Sequence, residues 1–323
     1  MKRALLFFWL VLASIALSQH AGAQSYPSKP IRLIVPFPPA GATDILSRDL
    51  MQRLSVRLGQ QIIIDNRPGA AGAIGSELVA KAPPDGYTLL MATTSTHSVA
   101  PTLTPNLPYD AVKDFAPVCL VATSPNLLVV PVTLPVKSVK DLVALAKAKP
   151  GTLNFGSAGT GGIVHLTGEM FRYRTGIDIV HVPYKGTQLV VPDLISGQIS
   201  ILFDNIVSAQ PNLKTGMLKA IGITSLQRSP LMPEVPTLSE SGVPGFEAST
   251  WFGVYAPAGT PKEIIARLNS ELVAVLKSSE MRARLAILGA EPVGSTPEGM
   301  AQTVAAETAK WAKVINDAKV KIE

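Results

Sequence analysis

The chain has 323 residues, of which 47% are hydrophobic and 16% charged, and a formal net charge of +6 at pH 7. That length allows two domains of roughly 100–200 residues each, and the apolar content excludes a disordered chain. The basic residues are scattered apart from Lys310, Lys313, Lys319 and Lys321, with no basic run interleaved with aromatics, so nucleic acid is excluded as a partner.

In chain order, Lys2 and Arg3 precede an apolar stretch from Ala4 to Leu17 and the small residues Ala21, Gly22 and Ala23. The layout predicts a secretory signal peptide over 1–23, cleaved after Ala23, because the apolar run is short for a membrane span. Every later apolar segment is broken by Pro or a charge. Cys119 is the only cysteine, so an internal disulfide is excluded, and its apolar surroundings predict a small buried hydrophobe.

Ile31 to Val35 is a continuous apolar run that reads as a buried strand. After the loop Pro36 to Asp44, the residues Leu46, Leu50, Leu54 and Leu58 recur every fourth position, which predicts an amphipathic helix closed by Gly59. Ile62 to Ile64 is a second strand, GAAGAIGSELVAKA a second helix, and Tyr87 to Met91 a third strand. This alternation implies right-handed crossovers and a parallel sheet. The alternation restarts after a long apolar stretch, with a helix over 138–149 and strands at Leu153–Phe155, Ile179–Val182, Ile199–Phe203 and Leu218–Ile223. A loop containing MPEVPTLSESGVPGF leads to a strand at Trp251–Ala256 and to helices that run to the end. The last helix is expected to pack back on the first domain. The sequence thus predicts an α/β fold with a discontinuous first domain, 24–122 plus 250–323, and a second domain, 123–249. The chain crosses near Cys119–Pro131 and returns near Glu247–Pro257, and two crossings make a hinge.

Two loops carry the chemistry. PFPPAGATD (Pro36 to Asp44) and GSAGTGG (Gly156 to Gly162) each follow an apolar strand and open a helix, so both place backbone N–H groups where an anion binds. Gly41 permits close backbone approach, Thr43 or Asp44 caps its helix, and Ser157 and Thr160 add hydroxyl donors. The second loop lacks the Lys of a phosphate-binding P-loop, and Val164 stands where a dinucleotide fingerprint starting at Gly159 needs glycine. Ser157 does not sit in G-x-S-x-G, so the nucleophile elbow of serine hydrolases is absent. His97, His165 and His181 show no metal-ligand spacing, so no metal or cofactor is expected. His165 is expected to bond locally within its helix, and His97 to face a cleft.

The segments YPSKPIRLIVPFPPAGATD, NRPGAAGAIG, PDGYTLL, THSVAP, FGSAGTGGIVHLTGEMF, VPYKGT, DLISGQI, PEVPT followed by Trp251, and APAGTP occur in an order and spacing that identify a family. Over essentially its whole mature length, the chain resembles the periplasmic solute-binding proteins of tripartite tricarboxylate transporters, the Bug family. The resemblance implies the type II periplasmic-binding-protein architecture, with two α/β domains and a ligand cleft between them. It further implies that one loop (Phe37, Ala40, Gly41, Ala42, Thr43, Asp44) and the other (Ser157, Ala158, Gly159, Thr160, Gly161, Gly162) grip a carboxylate-bearing ligand. Thr96, His97 and Asp204 then border the cleft. In departure from the family pattern, Ala40 precedes Gly41 where paired glycines are usual, Gly162 replaces a frequent Ser, and Pro192 comes later than the usual Pro. The expected role is a non-enzymatic, monomeric receptor that captures a small organic acid and presents it to membrane permease subunits. The alternatives are a binding protein that feeds a sensor kinase, and a periplasmic hydrolase using Ser157 with His165 or His97.

Overall fold

The computed structural model describes residues 26–321; the signal-peptide expectation lies outside the described residues. The first half opens with β1 (Ile31–Val35), α1 (Ala42–Leu58), β2 (Ile62–Asn66), α2 (Ala73–Ala80), β3 (Thr88–Thr93) and α3 (Ala100–Leu103). β1 lies between β2 and β3, parallel to both, as the strand–helix alternation requires. The four leucines of α1 are buried against β1, with Leu50 and Leu54 fully inaccessible. Gly59 closes the helix in the left-handed conformation at φ 67°.

The second half repeats the plan with α4 (Val139–Ala148), β5 (Leu153–Ser157), α5 (Ile163–Thr175), β6 (Ile179–Pro183), α6 (Thr187–Ser196), β7 (Ile201–Asn205), α7 (Ile206–Leu213) and β8 (Leu218–Ile223). Here β5 is the central parallel strand between β6 and β7. Its core is built on Phe155, Phe171, Phe203 and Phe246.

Two antiparallel strands join the halves. β4 (Phe115–Pro131) is 17 residues long and pairs with β9 (Ser249–Pro257) along its first part and with β7 and β8 along its second. The change of partner falls between Pro125, which pairs with Ser249, and Asn126, which pairs with Asn205. Proline lacks the N–H that a ladder needs, so Pro117 falls at a register shift and Pro125 at the end of the β9 pairing. Cys119, on the first part of β4, is buried. The full sheet runs β2-β1-β3-β9-β4-β7-β5-β6, with β8 and the short β10 (Glu291–Pro292) also on β4. Helices α8 (Lys262–Lys277) and α9 (Ser279–Leu288) return to the first half, where Leu268, Leu272 and Leu285 join the core of α1.

The last helix, α10 (Pro297–Asp317), does more than pack on the first half. Met300 and Val304 enter the cluster around Trp251 and Tyr255, whereas Trp311 and Ile315 enter the core of the second half. One helix therefore packs into the cores of both halves, a third connection beside the two strands.

Candidate functional site

Parallel strands direct their following loops toward one edge of the sheet. The loops after β1, β5 and β6 and the ends of β3 and β7 meet over β9 and enclose a cavity of about 190 Å³. Its apolar wall comes from Phe37, Pro38, Pro39, Val164, Leu189 and Phe252, and its polar wall from Thr43, Thr93, Ser95, Asn126, Thr187, Asp204, Asn205, Ser208 and Thr250. Among the described residues no Lys or Arg lines it.

Four helices begin at this cavity. α1 starts after Gly41, α5 after Gly162 and α6 after Gly186, and none of these three has a side-chain cap. The fourth, α7, starts after Asn205, whose side chain caps it by accepting from the Val207 N–H. Ser138, Ser278 and Thr296 each cap their helices through a side-chain oxygen, whereas α2 and α8, whose first turns do not line the cavity, also start uncapped. An uncapped first turn leaves N–H donors unsatisfied and carries about half a positive charge. Three such ends at one small space offer backbone donors to an anion without any cationic side chain, although the Ile163 N–H is already taken by Ser95 Oγ and Asp44 occupies the first turn of α1. The chemistry suits a compact anion with in-plane acceptors, above all a carboxylate.

The two halves touch over the cavity. The Ile163 N–H donates to Ser95 Oγ at 2.9 Å, from the second half to the first. A Cβ on Gly186 would lie 2.7 Å from Pro38 Cγ, and one on Gly159 would come within 3.8 Å of Ala71 N. A neighbouring cavity at the mouth, about 250 Å³, is lined by Phe37, Ala71, Ala158, Gly159, Thr160, Tyr184 and Lys185 among others.

Of the residues singled out from sequence, Phe37, Gly41, Ala42, Thr43, Ala158, Gly162 and Asp204 line the cavity, and Gly159 and Thr160 line its mouth. Ala40 and Asp44 stand behind the wall. The Ala40 N–H donates to Asp44 Oδ2 at 3.0 Å, and Asp44 Oδ1 accepts from Asn66 Nδ2 at 3.0 Å and pairs with Arg48 at 2.9 Å. Burial alone raises the Asp44 pKa, but these donors more than offset it and hold the carboxylate ionised. Asp44 thus organises the loop.

Ser157 and Gly161 also face away from the cavity. Ser157 is fully buried, with its Oγ 2.6 Å from His181 Nε2, and the Gly161 N–H donates to His165 Nδ1. His165 bonds locally, as its position just inside a helix predicts.

Thr96 and His97 do not reach the cavity, contrary to expectation. The chain after β3 forms a π-helical turn over Ser95–Val99, which aims Ser95 at the cavity and rolls the next two side chains inward. Thr96 Oγ1 closes on the Thr93 backbone. His97 is caged by Phe115, Tyr109, Trp251 and Tyr255, with ring centroids 4.6 Å from Phe115 and 4.4 Å from Tyr255. Burial pushes its pKa down to about 3, so it is a neutral core residue.

Sequence reasoning missed Thr93, Ser95, Asn126, Gly186–Leu189 and Thr250. Gly186 repeats the strand–loop–helix signal of the two recognised loops, because VPYKGT follows an apolar strand and opens a helix. Asn126 is visible as the one amide in the apolar run Cys119–Pro131.

Comparison with known proteins agrees with this geometry. Residues 46–320 match the tripartite tricarboxylate transporter family receptor. Protein BugT of Bordetella pertussis is 38% identical over 324 residues, covering 100% of this chain and 99% of that protein. The structure of R. palustris Rpa4515 with adipate superposes with a TM-score of 0.90 at 40% identity, covering 92% of this chain and 99% of that one. MatC from Rhodopseudomonas palustris with bound malate superposes with a TM-score of 0.85 at 35% identity, covering 90% of this chain and 100% of that one.

Proposed function

The chain belongs to the tripartite tricarboxylate transporter receptor family, and from that premise we infer how its cavity works as a ligand trap. The protein is a solute-binding receptor for small carboxylates. The observation that carries this reading is the convergence of three uncapped helix starts, after Gly41, Gly162 and Gly186, on a cavity without a cation. One ligand carboxylate sits among these N–H groups, and the chain between its polar ends lies against Phe37, Val164 and Phe252. Adipate and malate in the related structures are acids of this description.

The two domains, 24–122 plus 250–323 and 123–249, close on the ligand about the crossings at Pro125/Asn126 and Ala248/Ser249 and about α10, where it passes from one core to the other. Ligand contacts to both sides stabilise the closed form by their differential affinity for it. The closed surface is then what the permease subunits of the transporter recognise. The receptor is exported and acts in the periplasm; among the described residues no helix is long and apolar enough to cross a membrane. Catalysis has no part in this reading. Ser157 and His181 form a hydroxyl–imidazole pair, but Ser157 is fully buried and outside the cavity wall, so its Oγ holds the loop and meets no substrate.

The test is a thermal-shift screen of refolded protein against mono-, di- and tricarboxylates, with uncharged solutes as controls. A ligand at a hundred times its dissociation constant stabilises the folded state by about 2.7 kcal/mol, a readily measured rise in Tm. The reading expects stabilisation by at least one carboxylate and none by the uncharged controls. Stabilisation by uncharged solutes alone would overturn it.

A further inference from the structure

Asn126 stands on β4 at the point where that strand changes partners, and it lines the cavity. Its side chain is fully buried, yet neither Nδ2 nor Oδ1 has a hydrogen-bond partner among the described residues. Thr93, on the other half, also lines the cavity with its buried Oγ1 unpartnered. Buried polar side chains are almost always paired, so unpaired ones lining one cavity point to a ligand that completes them.

Asp204 lines the same cavity from the end of β7. Its Oδ1 accepts from Ser208 Oγ at 2.8 Å, and Thr187 and the Asn205 backbone also donate to the carboxyl. No cation faces it. On α1 the Arg48 guanidinium is held by Asp44; on α5 Arg172 is held by Glu169, with His165 beside that carboxylate. On α6 Asp193 accepts from the Tyr184 hydroxyl, and on β6 His181 faces Ser157. Asp204 is therefore a buried acid without a counter-ion, in a cavity otherwise built to attract a carboxylate.

This inference rests on the carboxylate-receptor reading and refines it. We propose that the wall formed by Asn126, Thr93 and Asp204 selects a second polar group that donates a hydrogen bond. An ω-hydroxy or ω-amino acid then enters as it is, and a dicarboxylate enters with one extra proton. The chemistry follows from the donor inventory: a carboxylate only accepts, an ammonium only donates, and a hydroxyl or protonated carboxyl does both, so each of these except the carboxylate can give the hydrogen bond that Asp204 and the Asn126 Oδ1 accept. Two ionised carboxylates sharing one buried site repel, and the site takes up a proton. Burial also pushes Asp204 up to about 6, close enough to neutrality for solution to supply that proton.

The experiment is titration calorimetry of the refolded protein near neutral pH, in buffers of contrasting ionisation enthalpy. The ligands are adipate and its ω-hydroxy and ω-amino monoacid counterparts of equal length. Adipate binding should take up about one proton, and its affinity should fall about tenfold per pH unit above neutrality. The amino counterpart should take up none, and Asp204→Asn should abolish the uptake seen with adipate. Adipate binding without proton uptake and with a flat pH profile would overturn the inference while leaving the receptor reading intact. Failure of every acid to bind would instead overturn the receptor reading and the inference with it. Should Asp204→Asn fail to fold, the buffer comparison on the unmodified protein decides alone.

Discussion

The backbone N–H of Gly161 donates to Nδ1 of His165 at 3.1 Å, so a side chain from the first turn of α5 holds the loop that leads into it. The bond requires Nδ1 to be an acceptor and therefore a neutral imidazole. Burial, followed by the nearby His181 and Arg172, pushes His165 down to about 3 and keeps it in that form. The rings of His165 and His181 lie 4.0 Å apart, and His181 in turn meets Ser157 at the end of β5. The ligand loop is thus braced from behind by two neutral histidines.

Replacing His165 by Ala removes the acceptor and leaves the Gly161 N–H without it. Losing one such bond costs about 1 kcal/mol, which predicts carboxylate affinity weaker by roughly fivefold, through loss of loop order rather than of a ligand contact. Calorimetry with any binding acid measures this. Unchanged affinity would show that the loop holds its shape without the brace.

Closure depends on a small residue at position 186. The Gly186 backbone is extended at φ 164°, which any residue adopts, but a Cβ there would stand 2.7 Å from Pro38 Cγ across the cleft. Gly186→Ala should therefore weaken ligand binding tenfold or more, equivalent to about 1.4 kcal/mol, with the separated lobes still folded. The denaturation midpoint of the ligand-free protein is the control. A variant that binds normally would mean that the cleft closes on its ligand with this contact relaxed.

Stability should fall on acidification well before ordinary carboxylates titrate. His97 and His165 have folded-state pKa values lowered to about 3, against 6.5 in the unfolded chain. A depressed folded pKa gives stability that is complete above the unfolded value and is lost as pH falls below it. Asp204 acts in the opposite sense: its pKa is raised to about 6, so it stabilises the folded state as pH drops from 6 toward its unfolded value. Two histidines against one aspartate leave one excess proton on the unfolded state, or about 1.4 kcal/mol lost per pH unit between roughly pH 5.5 and 4. His181, lowered by burial to about 4, adds up to one further proton to the same trend in the upper part of this range. Urea denaturation across this range checks the slope, and His97→Phe should reduce it; a stability profile that is flat from neutrality to pH 4 would contradict the assignment.

Ala40 has φ 63°, in the left-handed region, where it turns its N–H toward Asp44. For a non-glycine residue that conformation costs roughly 1–2 kcal/mol. Ala40→Gly relieves this strain but adds about 0.4–1 kcal/mol of unfolded-state entropy, so a net stabilisation approaching 1 kcal/mol is expected. A destabilised variant would show that the Ala40 methyl makes packing contacts that outweigh the strain.

The fourfold leucine repeat of α1 and the apolar runs of β1 and β5 were legible because burial on one face imposes a period that survives in one dimension. The first ligand loop was legible for a related reason, since strand, small residues and helix start are adjacent in the chain. His97 was not, because a π-helical turn breaks the period by which a side chain's direction is read. Asn126 was not, because its role depends on where β4 exchanges β9 for β7, a pairing between residues about 80 to 125 positions apart in the chain. Gly186 carried the same local signal as Gly41 and Gly162, but its importance comes from Pro38 across the cleft.

The central claim is that a carboxylate is held where three helices begin, and amide hydrogen exchange tests it most directly. With a saturating carboxylate found to bind, added protection should concentrate in segments 37–46, 158–166 and 186–190, which carry the uncapped first turns of α1, α5 and α6. Protection confined to other segments, such as the separate groove lined by Arg228, Lys277 and Arg282, would contradict it and move the ligand elsewhere.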